Sequence, residues 1–263
     1  MIIDSHCHIG LGRFEPLEAL LHHMDSAGVR GAVLIDYGNG EETAYLLRSM
    51  EKYPDRFAVA VTVPAEDDGT LIRKYAAGGA AGIRLAPRRR TGGRDPLVQW
   101  RVADELGLSI SLPGRRDGLL SSEFKEVLEA FPGLPIAIEH TGIHSVELPT
   151  VEEYEHTLAL AQHPNLFMKL HAFGEIAGTP PLSLACLPPY VDMAIEAFGP
   201  SRLMWGSDWP LLSAREGYRN GIELPRQYLS GLSEADRARI FGGTAAAVWG
   251  LGSRRRGVPE SAG

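Results

Sequence analysis

The feature that most constrains this chain is a regular alternation of short β-prone apolar runs with longer amphipathic stretches. Residues 1–3 open the series, and further runs fall at 31–36 (GAVLID), 57–63 (FAVAVTV), 81–85 (AGIRL), 108–112 (LSISL), 134–140 (LPIAIEH), 166–171 (LFMKLH) and 202–208 (RLMWGSD). Helical periodicity fills the intervals at 16–27, 41–53, 68–77, 96–107, 121–131, 151–163 and 189–198. In the first of these, Leu17, Leu20, Leu21 and Met24 form one apolar stripe, and Gly28 follows as a helix terminator. Strands joined by helical crossovers run parallel, because each helix carries the chain back to the same end of the sheet. Eight such units within 263 residues match a single-domain α/β fold, a closed (β/α)8 TIM barrel. An open doubly wound sheet is the alternative, but no glycine-rich nucleotide loop follows the first strand. Residues 224–250 are expected to supply the outer helices after the eighth strand, with Ser233 and Asp236 as a helix-start signal. The barrel is expected over 1–252. The tail 253–263, with Arg254-Arg255-Arg256, reads as disordered.

Active sites of such barrels sit at the C-terminal ends of the strands. The first strand leads into Asp4-Ser5-His6-Cys7-His8. With a period of two, Asp4, His6 and His8 share one face, and Ser5 and Cys7 the other. Two imidazoles and a carboxylate at a strand end can hold a divalent metal or carry out proton transfer. The fourth strand ends in Arg84, the sixth in Glu139-His140-Thr141-Gly142, and the eighth in Gly206-Ser207-Asp208-Trp209-Pro210. The seventh carries Lys169 and His171, which share a parity. The fifth ends in Ser111-Leu112-Pro113-Gly114, with no metal-ligand residue. If alternation holds, Arg84 points into the barrel, where it either pairs with a substrate carboxylate or forms an internal ion pair. Arg88, Arg89 and Arg90 lie on the loop beyond it and read as a solvated loop, with the alternative that at least one reaches an anionic substrate; Glu139 has the wrong parity relative to His140 for direct catalysis. His144 follows the sixth strand closely enough to contribute to the site. Cys7 is expected to be buried against a helix rather than to act as a ligand.

The net charge of −7 argues against a nucleic-acid partner. Two cysteines are too few for a disulfide framework and fit a reducing, cytoplasmic setting. No apolar run is long enough for a membrane span, and the first residues lack the pattern of a signal peptide. The expected partners are an anionic small-molecule substrate and a second copy of the chain in a homodimer, with neither nucleic acid nor membrane.

Three motifs together resemble the amidohydrolase superfamily: the Asp4-x-His6-x-His8 start, the Glu139-His140-Thr141-Gly142 turn, and Trp205-Gly206-Ser207-Asp208-Trp209-Pro210. The closer likeness is to its amidohydrolase-related branch of metal-dependent hydrolases, lactonases and aminocarboxymuconate-type decarboxylases. Asn165 to Leu170, Arg84 after Gly82-Ile83, and Thr244 to Trp249 are similar to that branch, and the likeness spans Ile2 to about Leu251. The resemblance implies a hydrolase with one divalent metal, Zn²⁺. His6 and His8 would be ligands, His140 a ligand or proton donor, and Asp208 a ligand and general base. Arg84, His171 and Trp209 would face the substrate, a small carboxylated lactone, ester or amide. Metal-binding members usually carry a histidine at the fifth strand end, which this chain lacks, so a metal-free mechanism stays open. The same absence counts against the alternative, a metal-dependent non-oxidative decarboxylase. A catalytically inactive small-molecule binder is the third reading.

Overall fold

The computed structural model describes residues 1–38, 40–143, 148–170, 173–174 and 189–252. Eight parallel strands, β1 (Ile2–Cys7), β2 (Val29–Ile35), β3 (Phe57–Val61), β4 (Gly82–Arg84), β5 (Ser109–Leu112), β6 (Ile136–Ile138), β7 (Leu166–Leu170) and β8 (Leu203–Trp205), lie in sequence order. Between β8 and β1 the seam is closed just beyond the strand ends. His8 N donates to Trp209 O at 2.7 Å, and Asp208 N donates to His6 O at 2.8 Å. This is a (β/α)8 barrel, and the two bonds that close it also bring His6, His8 and Asp208 side by side.

The barrel has two apolar layers. An outer core lies between strands and helices, with Leu20, Met24, Trp100, Phe124 and Tyr154 fully or nearly fully buried. The inner core uses small residues, among them Ala58, Ala60, Ala81 and Ala137, which leave room for Trp249. A Cβ at Gly82 would lie 2.1 Å from Ser109 O and 2.8 Å from Trp249 Cζ3, so only glycine fits there. Trp249 comes from the last helix (Thr244–Trp249) and plugs the N-terminal side of the barrel, leaving the C-terminal side for chemistry. Truncating a buried plug of this size typically costs about 3–5 kcal/mol.

Two departures from the sequence expectation have physical causes. First, a helix spans Gly217–Tyr228, earlier than the expected 224–250. Two glycines and Pro225 hide it from propensity, but Tyr218, Ile222 and Pro225 are buried along one face, and packing outweighs propensity. Second, β1 does not alternate strictly. Ile3 joins the inner core while Cys7, of the same parity, joins the outer one. The β1–β2 register shifts between Asp4 and Cys7, which accounts for the change of face. Cys7 is fully buried, and its thiol lies 3.5 Å from Val33 O. No helix among the described residues is long and apolar enough to cross a membrane. The expected disordered tail, 253–263, lies outside the described residues.

Candidate active site

Three donor atoms converge at the seam between β1 and β8. His6 Nε2 lies 3.2 Å from His8 Nε2. Asp208 Oδ1 lies 3.5 Å from the first nitrogen and 3.4 Å from the second. All three residues are almost fully buried. Zinc bonds of about 2.0–2.1 Å place tetrahedral ligand atoms about 3.3–3.4 Å apart, so these spacings fit three corners of such a site. His8 Nδ1 is 2.8 Å from Ile35 O; donating its proton there leaves the Nε2 lone pair facing the other donors. The residues present therefore fit a divalent metal.

The backbone around these donors is unusual where it has to aim them. Asp208 has φ 59°, a left-handed conformation that non-glycine residues adopt at a cost and that clusters at functional sites. Ser207 anchors the turn, its N–H and Oγ donating to Asp4 at 2.8 and 2.5 Å, while Tyr218 Oη donates to the same carboxylate at 3.0 Å. Asp4 therefore does not join the His6–His8 pair as strand parity suggested; it ties the β8 turn to β1. Burial pushes its carboxyl up to about 6, against these hydrogen bonds. Gly206 lets the two chains approach, because a Cβ there would sit 3.0 Å from His6 Cβ and from Ser5 Oγ.

His140 begins a turn in which it and Thr141 are both left-handed (φ 53° and 56°). Tyr154 Oη donates to Thr141 O at 2.8 Å and holds this turn. The His140 ring is 5.5 Å from that of His6, and His6, Glu139 and His140 form a second group of possible ligands sharing His6. Glu139 keeps the inward parity of Ala137, and the left-handed turn that follows brings His140 to the same side, so both belong to the site although neighbours on a strand would face apart.

Glu139 is fully buried at the heart of a polar chain beside the ligands. Arg84 donates to both its oxygens, Nε to Oε1 at 3.0 Å and Nη2 to Oε2 at 2.7 Å. Ser111 Oγ donates to Oε1 at 2.6 Å and receives from Lys169 Nζ at 2.6 Å. Lys169 Nζ is also 3.1 Å from His6 Nδ1. Burial works to raise the Glu139 carboxyl, but the charges of Arg84 and Lys169 outweigh it and hold it down at about 2. Burial pushes the Lys169 ammonium down to about 8, against the pull of Glu139. Of the two roles open to Arg84, the structure shows the internal ion pair. Ser111, at the strand end that lacks a histidine, instead links Lys169 to Glu139.

Trp209 does not reach this site. It is fully buried in the outer core, 6.0 Å ring to ring from His23, because its side chain takes the outward side of the β8 turn. It cannot contact a substrate as expected, and it shapes the turn instead. Arg88 and Arg90 pair with Asp117 and Glu126 at the surface, and Arg89 donates to Val63 O. His171 and His144 lie outside the described residues. Sequence reasoning missed Glu139, Ser111 and Lys169 as a unit. The available signal was the serines Ser109 and Ser111 alternating on an otherwise apolar strand.

Comparison with known proteins agrees with the motifs. The sequence profile of a family described as Amidohydrolase matches residues 3–251. An L-fucono-1,5-lactonase of Burkholderia ambifaria is 35% identical over 160 residues, covering 57% of this chain and 53% of that protein. A 4-sulfomuconolactone hydrolase of Hydrogenophaga intermedia is 25% identical over 207 residues, 74% of this chain and 65% of that protein. The chain thus spans about half the length of the first of these relatives. Among solved structures, an amidohydrolase of Burkholderia multivorans with bound zinc superposes with a TM-score of 0.78 at 22% identity, covering 95% of this chain and 99% of that one. The 5-carboxyvanillate decarboxylase LigW of Sphingomonas paucimobilis gives 0.60 at 15% identity, covering 91% and 85%. At these identities the structural likeness shows the fold alone.

Proposed function

Because this chain belongs to the amidohydrolase family, matched over residues 3–251, we propose that it hydrolyses a small lactone, with Asp208 as general base and His6 and His8 holding one divalent metal. The observation that carries this reading is the mutual spacing of His6 Nε2, His8 Nε2 and Asp208 Oδ1, 3.2 to 3.5 Å, among side chains that are almost fully buried. When bound, a divalent cation supplies Lewis-acid polarisation of a carbonyl and acidifies water. The protein's own groups do the rest. Asp208 Oδ1 accepts a proton from the water whose oxygen attacks the lactone carbonyl carbon. The ring C–O bond breaks, and the departing ring oxygen takes a proton either from Asp208 directly or from a protonated His140, which then recovers the proton that Asp208 holds. The Arg84–Glu139–Ser111–Lys169 chain fixes the His6 ring from behind.

Two lactone-opening relatives, the L-fucono-1,5-lactonase and the 4-sulfomuconolactone hydrolase, support the substrate class. Decarboxylation has weaker support: the extra imidazole of that pattern is replaced by Ser111, whose hydroxyl is engaged by Lys169 and Glu139. The test is a panel of five- and six-membered lactones, with and without a carboxylate, followed by proton release. Ring opening is expected, and Asp208→Asn should lower kcat by about 10²–10⁴-fold with the fold intact. Retention of activity within tenfold would remove Asp208 as the base. Release of CO2 from an aromatic acid, with no lactone opened, would replace the hydrolase reading by the decarboxylase one.

A further inference from the structure

Arg84 is committed to Glu139, so a carboxylate on the substrate needs another cation. The loop after β1 supplies one. Phe14 stacks on the His8 ring, with centroids 4.9 Å apart and planes at 15°. Tyr37, following β2, meets the same His8 ring edge-on at 5.0 Å and Phe14 at 5.3 Å. These two rings form a wall directly against a proposed metal ligand. Arg13 rests on the same two rings, its guanidinium carbon 4.2 Å from the Tyr37 centroid and 5.5 Å from that of Phe14. Arg84 stacks on the same Tyr37 ring at 4.9 Å. Tyr37 is therefore contacted by two guanidinium groups, one closed by a carboxylate and one open.

We propose that Arg13, seated on Tyr37 and Phe14 at the mouth of the His6/His8/Asp208 site, binds the carboxylate of an anionic lactone and so determines substrate specificity. This rests on the hydrolase reading above and deepens it. An exposed arginine is ordinarily a solvated surface group, and three observations set this one apart. Among the described residues Arg13 has no ion pair or hydrogen bond, and of the arginines in that state, which include Arg30, Arg48, Arg94, Arg115 and Arg219, it is the one seated on aromatic rings. Its side chain is ordered by ring faces, which hold a guanidinium flat while leaving its N–H edge free for a bidentate carboxylate. The rings that seat it also touch His8, so an anion bound there projects the rest of a small molecule toward the donors. The protein carries a net charge of −7, so a free cation at the pocket mouth stands out as a local attractor for anions.

The test compares 5-oxotetrahydrofuran-2-carboxylate, a five-membered lactone acid, with its neutral methyl ester. For Arg13→Ala we expect kcat/KM on the acid to fall about tenfold or more, mainly through KM, with ring opening of the ester within about twofold of wild type. Arg13→Lys keeps the charge without the fork and should fall between the two. Equal loss on both substrates, or loss on neither, overturns the proposal. If wild type opens neither lactone, the hydrolase reading fails for this class, and Arg13 is judged by calorimetric binding of 2-hydroxyglutarate, the ring-opened acid. Weakening by about tenfold in Arg13→Ala sustains the anion site. Equal affinity in the two proteins, or no binding to wild type, overturns it.

Discussion

Replacing Arg84 separates its two roles. In the structure its guanidinium forms a two-pronged pair with Glu139, at 3.0 and 2.7 Å, and the two side chains are 12% and 0% exposed. Arg84→Met keeps most of the side-chain volume and removes the charge. A fully buried carboxylate is then left with only Ser111 and, beyond it, Lys169. Breaking a buried pair from one side typically costs about 3–5 kcal/mol. Lys169 remains close enough to offset part of that, so the lower end, about 3 kcal/mol, is expected. For a chain of this length each kcal/mol lowers Tm by about 2 °C, so Tm should fall by about 6 °C. The double variant Arg84→Met/Glu139→Gln removes both charges and should recover at least about 1 kcal/mol of the loss. Reversible thermal unfolding of the four proteins, wild type included, measures this cycle. If Arg84→Met unfolds within about 2 °C of wild type while KM for a carboxylated lactone rises, Arg84 is a substrate anchor and the reasoning is wrong.

Stability should depend on pH through two carboxylates with opposite signs. Glu139 titrates near 2 in the folded protein against an ordinary 4.5, so its contribution of about 3 kcal/mol is complete above pH 4.5 and is lost as pH falls toward 2. Glu139→Gln should flatten that limb in urea titrations between pH 2 and 5. Asp4 titrates near 6 against 3.8, so its contribution of about 3 kcal/mol is complete below pH 3.8 and is lost as pH rises through 6. Asp4→Asn should remove that second dependence, and an unchanged pH profile would contradict the assignment. Gly206→Ala puts a methyl 3.0 Å from His6 Cβ and should cost about 1–3 kcal/mol in unfolding assays. It should also lower kcat/KM by tenfold or more, since the β8 turn must move away from β1; full activity would show that Asp208 tolerates the shift.

Much of this molecule is legible in its sequence because parallel β/α units leave a strong period. Each expected strand run overlaps an observed strand, and the motif residues His6, His8 and Asp208 meet across the seam. Strand alternation was a weaker guide where the backbone departs from a strand. The register shift in β1 accompanies the turn of Asp4 toward Ser207 and Tyr218, and the left-handed turn after β6 brings His140 to the side that Glu139 already faces. Trp209 shows the same limit, because its outward aim is set by the β8 turn and no sequence pattern encodes that direction. The role of Lys169 depended on partners from β1, β5 and β6, a relation between distant segments that local periodicity does not carry. The seating of Arg13 was likewise hidden, since Phe14 is its neighbour in sequence but the Tyr37 ring reaches it from the loop after β2.

The most direct test of the account is the divalent metal content of the purified protein, measured by plasma mass spectrometry before any chelator is used and repeated on His6→Ala, His8→Ala and Asp208→Ala. The three donors at 3.2 to 3.5 Å predict about one equivalent in wild type and a large loss in each variant. No metal in wild type, even after dialysis against zinc, would contradict the metal centre and leave proton transfer among His6, His8 and Asp208 as the chemistry to pursue.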